Sequence, residues 1–464
     1  MRTILTSILV LAVAETMAQT TYLTFDDALA LSFECNPSLS ASEYAERAAH
    51  RERQAAIGLF MPRLSLRGAY THFNNDIKVD LNHIKGQATG LLAPLLPSME
   101  SLLSPLLALD LSYTLQRRNS AFLGGDIVWP IFTGGKILTA NKAAKINEER
   151  ATNRTREVRS ALVVEMVERY FGVELASRAV TIRKEAVAVV EQHLRDVVLL
   201  EREGMAIESE RLYAEYRLAE AERELRRAEL QLSTAQRALQ TTLGVESDVL
   251  PSTPMFMLSS VEPLDYFQTM ATLHNAQIAE VAHLRELSRM NVRLQRAELM
   301  PEVVAMGGAI FCDHQLTPLL PRMAVGVGLN FPIFDGLRSE FRYSAARQQL
   351  RRVETLEDKA EQDIRLLVES LYNSLQASLS SIPSVERSVR FAEDFLRAKR
   401  AAFREGVATS TDVVDAALNL SRAQLERLQT AYEFDLALAR LLDASGVGET
   451  FVQYSNSATA QSVF

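Results

Sequence analysis

Two stretches, WPIFTGGK ending at Lys136 and FPIFDGLR ending at Arg338, state one pattern 202 residues apart. Pro130, Phe132 and Gly134 recur as Pro332, Phe334 and Gly336, and REGMA around Gly204 recurs as REGVA around Gly406. Gly244 maps onto Gly446 by the same offset. Upstream the offset becomes 239: Phe25, Asp26 and Asn36 align with Leu264, Asp265 and Asn275, and Pro62 and Gly68 with Pro301 and Gly307. Proline and glycine landmarks held at fixed spacing mark a tandem duplication, so the fold must be one that two similar units can build. The offsets differ by 37, so the first unit carries about that much extra sequence between its two candidate strands.

Each unit reads as strand, strand, then two very long helices. The expected strands are 62–73 and 120–132 in the first unit and 301–312 and 321–334 in the second. PRLSLRGAYTHF sets Leu64, Leu66 and Tyr70 on one face and Ser65, Arg67 and Thr71 on the other, the alternation of a half-apolar strand. The expected helical hairpins are 135–243 and 338–445. They are rich in Ala, Leu, Glu and Arg, which lose little rotamer freedom in a helix, and nearly free of Gly and Pro, Pro383 being an exception. A helix of about 65 residues is ~100 Å long, more than a compact core requires. Leu218, Leu225, Leu232 and Leu239 recur every seven residues, a seam that keeps facing one neighbour. Gly204 and Gly406 sit at the reversals, and IESE and TSTD follow them as polar caps for the returning helices.

Composition narrows the function classes. The chain is acidic, with net charge −8, and concentrates no Lys/Arg footprint, which argues against a nucleic-acid partner. Cys35 and Cys312 are too few for a disulfide framework or thiolate metal site. The histidines lack ligand spacing, and no Ser/His/Asp set or phosphate loop is present, so neither an enzyme nor a cofactor or metal is expected. Arg2, the apolar run ILTSILVLAVA and the small-residue exit near Ala18 read as a signal peptide over 1–19. The organisation expected thereafter is a first repeat over 20–250, a second over 251–446 and a tail over 447–464. No later run is long and apolar enough for a spanning helix. Trp129, Tyr70 and Phe331 at strand ends suit a membrane–water interface, or equally a plain core. Four membrane strands cannot close a barrel, so the strands either form a soluble sheet or are completed by other chains.

Along its mature length the chain resembles the TolC-like outer-membrane efflux proteins. IGLFMPRLSLRGAY, VWPIFTGGK, NFPIFDG and REGVATSTDVVDA, with the duplication, carry the resemblance. It implies a mostly α fold with a β-barrel portion: a homotrimer whose twelve strands close one barrel in outer-membrane lipid, continued by a twelve-helix periplasmic α-barrel. It implies a passive exit duct working with a periplasmic adaptor protein and an inner-membrane transporter. The alternative is a poreless structural coiled-coil protein of the envelope. The family's acidic constriction falls on Asp412 and Asp415, spaced i, i+3 on one helix side. Three copies would bring six carboxylates together, raising one another's pKa and attracting cations. Asp412 alone also fits a carboxylate set against a helix N-terminus. The counterparts in the first repeat are Glu210 and Tyr213, so the ring is expected from the second repeat. Ala408 stands where family members carry a basic latch residue, and Arg404 is the stand-in candidate. The family's adaptor-docking tips fall on Arg202, Glu203 and Gly204 and on Arg404, Glu405 and Gly406. The leucine-rich insertion, about 74–120, joins two barrel strands and is expected at the extracellular mouth.

Overall fold

The structure is a computed structural model that describes residues 21–92, 108–258, 260–317, 321–457 and 460–462. The signal-peptide segment and the leucine-rich middle of the insertion lie outside the described residues. In chain order come β1 (Thr21–Leu23), α1 (Phe25–Cys35), α2 (Pro37–Ile57), β2 (Arg63–His72), β3 (Ile77–Asp80), α3 (Asn82–Leu92), β4 (Ser112–Gln116) and β5 (Asn119–Phe132). There follow α4 (Lys136–Arg202), α5 (Glu208–Leu243), β6 (Val249–Pro251), β7 (Phe256–Leu258), α6 (Leu264–His274) and α7 (Ala276–Ala297). The chain continues with β8 (Glu302–His314), β9 (Met323–Asn330), α8 (Arg338–Arg404), α9 (Ser410–Ala444), α10 (Phe451–Ser455) and β10 (Ala460–Ser462). The two compact units do not follow the repeats: one gathers residues 51–145 and 287–350, the other 1–50, 146–286 and 351–464.

The first compact unit holds an antiparallel sheet in the order β2-β5-β8-β9, two strands from each repeat. Its register aligns Leu64, Ile127, Gly307 and Val325 in one row, and Leu66, Gly125, Ala309 and Met323 in the next. That face is apolar throughout these rows and open: Leu64 is 79% and Val325 81% exposed. The opposite face pairs Ser65 with Asp126 and carries the ion pair Arg67 Nη2–Asp126 Oδ1 at 2.8 Å. Tyr70 pairs with Ala121, and Trp129 lies eight residues further along β5, roughly 27 Å at 3.4 Å per residue. Two aromatics at that spacing on an apolar face match a barrel's apolar band of about 25 Å and its girdles. The Trp129 indole N–H donates to the Phe60 carbonyl at 3.1 Å.

One expectation is corrected here. The second strand of the second repeat ends at Asn330, short of 334, so Pro332 and Phe334 lie outside it. Pro130 and Phe132 remain in β5 because β8 stays paired past the end of the β2 pairing at Val128 and passes the proline at an irregularity. β9 pairs on one side only, and its pairing ends at Glu302–Asn330, just before the proline that has no N–H to give. Within the described part of the insertion, β3 pairs with β4, and α3 follows β3. The Gln116 side chain donates to the Gln315 carbonyl at 3.0 Å and accepts from Thr317 N–H at 2.9 Å, tying the insertion's base to the β8–β9 turn.

The second unit explains why the landmarks recur. Asn36 accepts from Ser38 and Leu39 N–H, and Asn275 accepts from Gln277 and Ile278 N–H, so each caps the helix that follows it. Gly244 and Gly446 end α5 and the α9 region at φ +67° and +73°. Tyr170 OH donates to the Leu23 carbonyl and accepts from Ser252 and Thr253 N–H, closing a core in which Phe25 stacks on Phe171 at 5.5 Å. The parallel pair β1–β6 and the antiparallel pair β7–β10 border this core. In α5 the heptad runs deeper than the leucines suggest: Ala214, Ala221 and Ala228 are buried, while Leu218, Leu225 and Leu232 are half-buried. Small residues let the neighbouring helix come close, and the leucines fold around it. Pro383 lies inside α8 without ending it.

Gly406 (φ +74°) has open space where a Cβ would go, whereas at Gly446 (φ +73°) a Cβ would sit 2.3 Å from the His274 carbonyl carbon. Gly406→Ala should therefore cost about 1–2 kcal/mol of backbone strain alone. Gly446→Ala should cost clearly more, because backbone atoms must move. Denaturant midpoints of the two variants check this, and equal losses would refute it.

Candidate constriction and helical tips

The same turn is built twice. Met205 and Ala206 N–H donate to the Leu200 carbonyl at 2.8 and 3.3 Å, and Val407 and Ala408 N–H donate to the Ala402 carbonyl at 2.9 and 3.3 Å. Gly204 and Gly406 supply the left-handed residue, at φ +71° and +74°. Arg202, Glu203, Arg404 and Glu405 are exposed on these turns. So are Met205, Ile207 and Val407, the last 80% exposed, apolar tip residues that the sequence pattern did not single out.

The helix starts differ between the repeats. The expected polar cap from IESE is absent: Ile207 occupies the cap position and offers no side-chain acceptor. Arg211 closes that tip instead, bonding Glu201 on α4 at 3.0 Å and Glu215 on α5 at 2.6 Å. At the second tip Thr409 and Asp412 form a capping box: Asp412 Oδ2 accepts from Thr409 N–H at 3.0 Å, and Thr409 Oγ1 accepts from Asp412 N–H at 3.3 Å. Asp412 Oδ1 accepts from Lys399 Nζ of α8 at 3.0 Å. The Thr409 N–H bond, then Lys399, hold the Asp412 carboxyl below its ordinary value.

Asp415 meets its own repeat counterpart. Tyr213 OH donates to Asp415 Oδ1 at 3.0 Å, and the Arg217 guanidinium, 19% exposed, reaches the same oxygen. Arg217 also donates to Tyr213 OH at 2.9 Å and to Glu220 at 2.7 Å. The bases at the two carboxylates are thus Lys399 and Arg217. Arg404, the stand-in candidate for a latch, instead lines an open cavity of about 380 Å³ with His193, Asp196 and Arg400. Nothing in the spacing of α4 singles out His193, because its partners lie two hundred residues away. It is buried, packs edge-on against Phe403 at 4.8 Å, and its Nε2 lies 2.7 Å from Ser410 Oγ at the start of α9. Burial lowers its pKa, favouring the neutral ring.

A family profile described as outer membrane efflux protein matches residues 269–447. The alkaline protease secretion protein AprF of Pseudomonas aeruginosa is 25% identical over 224 residues, 46% of either chain. The outer membrane protein TolC of Escherichia coli is 23% identical over 212 residues, 41% of this chain and 42% of TolC. The chain thus spans less than half the length of the curated relatives it matches. The fold match is fuller: crystal structures of CusC give a TM-score of 0.72 at 15% identity, covering 94% of this chain and 95% of that one. The outer membrane protein VceC of Vibrio cholerae gives 0.71 at 18%, covering 91% and 96%. The fold, mostly helical with a small strand portion, is that of the outer-membrane channel proteins. These matches agree with the resemblance to the TolC-like outer-membrane efflux proteins that the sequence carries, and with a place in the outer membrane.

The direction of the Asp412 pKa sets a pH dependence. A carboxylate held below 3.8 contributes stability above that value, and the contribution is lost as pH falls through the lowered value. Lys399→Met should shift this loss to higher pH while the Thr409 bonds remain. Hydrogen exchange in the first turn of α9, corrected for intrinsic rates, checks it; an unmoved midpoint would show that Lys399 does not act on Asp412.

Proposed function

We propose that the protein is a passive outer-membrane exit duct that works as a homotrimer with a periplasmic adaptor and an inner-membrane transporter. The sheet carries this reading. Its apolar face is open, and β2 and β9 each pair on one side only among the described residues. An open sheet edge is not tolerated in lipid, so the edges require partners from other chains. Because the strand order alternates in direction, β9 of one copy meets β2 of the next antiparallel, and the sheet continues through any number of copies. Three is the number that the family resemblance gives. Energy comes from the transporter, and the duct performs no chemistry of its own.

In this reading Asp412 and Asp415 of each copy form the periplasmic constriction. Each chain restrains its own pair: Lys399 ties Asp412 to α8, and Tyr213 and Arg217 tie Asp415 to α5. Opening then requires a change at the Arg217–Asp415 contact between the two hairpins. The tips around Gly204 and Gly406, with exposed Met205, Ile207 and Val407, are where the adaptor docks.

Single-channel conductance in planar bilayers tests the duct. Wild type should give a small, cation-selective conductance. Asp412→Ala/Asp415→Ala should lose the selectivity, and Arg217→Ala should raise the conductance while keeping the selectivity. Absence of conductance from a verified trimer in all three forms would favour the poreless envelope protein.

A further inference from the structure

The unit that holds the sheet is charged unlike the rest of the chain. Its four helix ends, residues 51–57, 134–145, 287–300 and 335–350, carry eleven basic and four acidic residues, net +7, in a chain whose net charge is −8. The sheet and its connections, 58–133 and 301–334, balance at seven of each sign. The positive charge also gathers at one level. Asn141 Nδ2 of α4 donates to the Ala56 carbonyl of α2 at 2.7 Å. A Cβ on Gly134, just before α4, would lie 2.8 Å from the Ala297 carbonyl oxygen at the end of α7. Arg342 of α8 pairs with Glu298, beyond that same end, at 3.9 Å.

Helix electrostatics do not account for these cations. α4 and α8 begin here, where the helix dipole favours acids. Their first turns nevertheless hold Lys136, Lys142, Lys145, Arg338, Arg342 and Arg347 against Glu340 alone. Lys136 pairs with Glu302, and Arg338 with Asp335 at 3.6 Å. Lys142 and Arg347 have no carboxylate partner among the described residues, and neither has Arg296 near the end of α7.

Exposed apolar side chains stand beside them. Leu138, 53% exposed, shares one face of α4 with Lys142 and Lys145, at steps of four and three. Phe341, 69% exposed, lies on α8 between Arg338 and Arg342, and Ile333 and Phe334 just before that helix are open as well. Arg289, Arg293 and Arg296 share one face of α7 at the same steps. An apolar rim followed within a turn or two by clustered cations is the pattern of a membrane surface with anionic headgroups. Side chains tilt toward the N-terminus of their helix, which in α4 and α8 is the sheet end, so these cations lean back toward the apolar band. Leu138 and Phe341 favour lipid over the water-filled interior of a duct, where exposed apolar area is costly.

We propose that this collar on α4, α7 and α8 binds the phosphate headgroups of anionic phospholipids in the leaflet nearest the long helices. The inference rests on the reading of the sheet as part of a membrane barrel and adds a lipid partner to it.

Trp129, the only tryptophan, reports on the collar: its indole donates to the Phe60 carbonyl, four residues past Ala56. The purified protein is placed in phosphatidylcholine bilayers, and quenching of Trp129 by brominated phosphatidylglycerol is compared with quenching by brominated phosphatidylcholine. Phosphatidylglycerol should associate about fivefold more strongly for each cation engaged, and sodium chloride should shrink the preference. Lys142→Gln/Lys145→Gln and, separately, Arg293→Gln/Arg296→Gln should each reduce it several-fold and leave quenching by phosphatidylcholine unchanged. Equal association of the two lipids with the wild type overturns the collar and keeps the membrane sheet. No quenching by either lipid removes Trp129 from lipid and overturns both. A preference that survives both variants overturns the assignment, and a shift in their ion selectivity then places the cations in the duct interior. Loss of the preference in sodium phosphate, but not in sodium chloride of equal ionic strength, overturns the lipid in favour of a free anion.

Discussion

An unpaired β edge in lipid is the constraint on which the remainder of this structure depends. Water would satisfy the outer N–H and C=O groups of β2 and β9, but hydrocarbon cannot, and the apolar face shown by Leu64, Ile127 and Val325 belongs in hydrocarbon. The sheet is therefore incomplete as a single chain. Duplication supplies two strands per repeat, and in the proposed homo-oligomer repetition of the chain supplies the closure. The small residues in the sheet follow from the same demand. A Cβ on Gly124 would lie 2.7 Å from the Ala309 carbonyl oxygen, and one on Gly307 3.1 Å from the Ile127 side chain. Neighbouring strands approach there without side chains between them.

The helical part obeys a different rule. Its backbone is satisfied internally, so its sequence is free to decide which neighbours it accepts. α9 buries much of its surface, from Ser410 and Val413 at the tip to Phe434 and Leu438 in the core. α5 and α8 each bury one stripe. Helices with one satisfied seam and one open seam are the helical counterpart of edge strands. The difference is cost: an open seam exposes apolar area to water, whereas an open edge in lipid strands hydrogen-bonding groups. In the proposed homo-oligomer, closure by neighbouring copies is therefore imposed at the sheet and only favoured along the helices.

Much of this was legible in the sequence because glycine, proline and asparagine act locally. Gly204 and Gly406 announce their turns since few other residues sit at φ above +70°, and Asn36 and Asn275 announce their caps. The contacts at the constriction were not legible, because they join residues two hundred positions apart that share no local pattern. Lys399 reads as one of many charges on α8, and Arg217 as one of many on α5. The early end of β9 was hidden for another reason. Pro332 copies Pro130 in sequence, but β8 stays paired with β5 past Pro130 and its pairing with β9 ends at Asn330. The missing IESE cap shows the same limit: Arg211 secures that tip through long-range ion pairs that a capping pattern does not encode.

In the proposed duct, the divergence between the repeats places unlike residues at the candidate constriction. Aspartates at both Asp415 and its equivalent 202 positions earlier would repel. Here one position is Asp415 and its equivalent is Tyr213, a donor that the carboxylate can use, and Arg217 one turn further on adds a positive charge. The same asymmetry separates Asp412, held by Thr409 and Lys399, from Glu210 in the first repeat. Like-charge contact within the chain is thus replaced by pairing. The remaining lone pairs of the Asp412 and Asp415 carboxylates are what a copy can present to its neighbours, so intrachain pairing and an acidic ring between chains are compatible uses of one carboxylate pair.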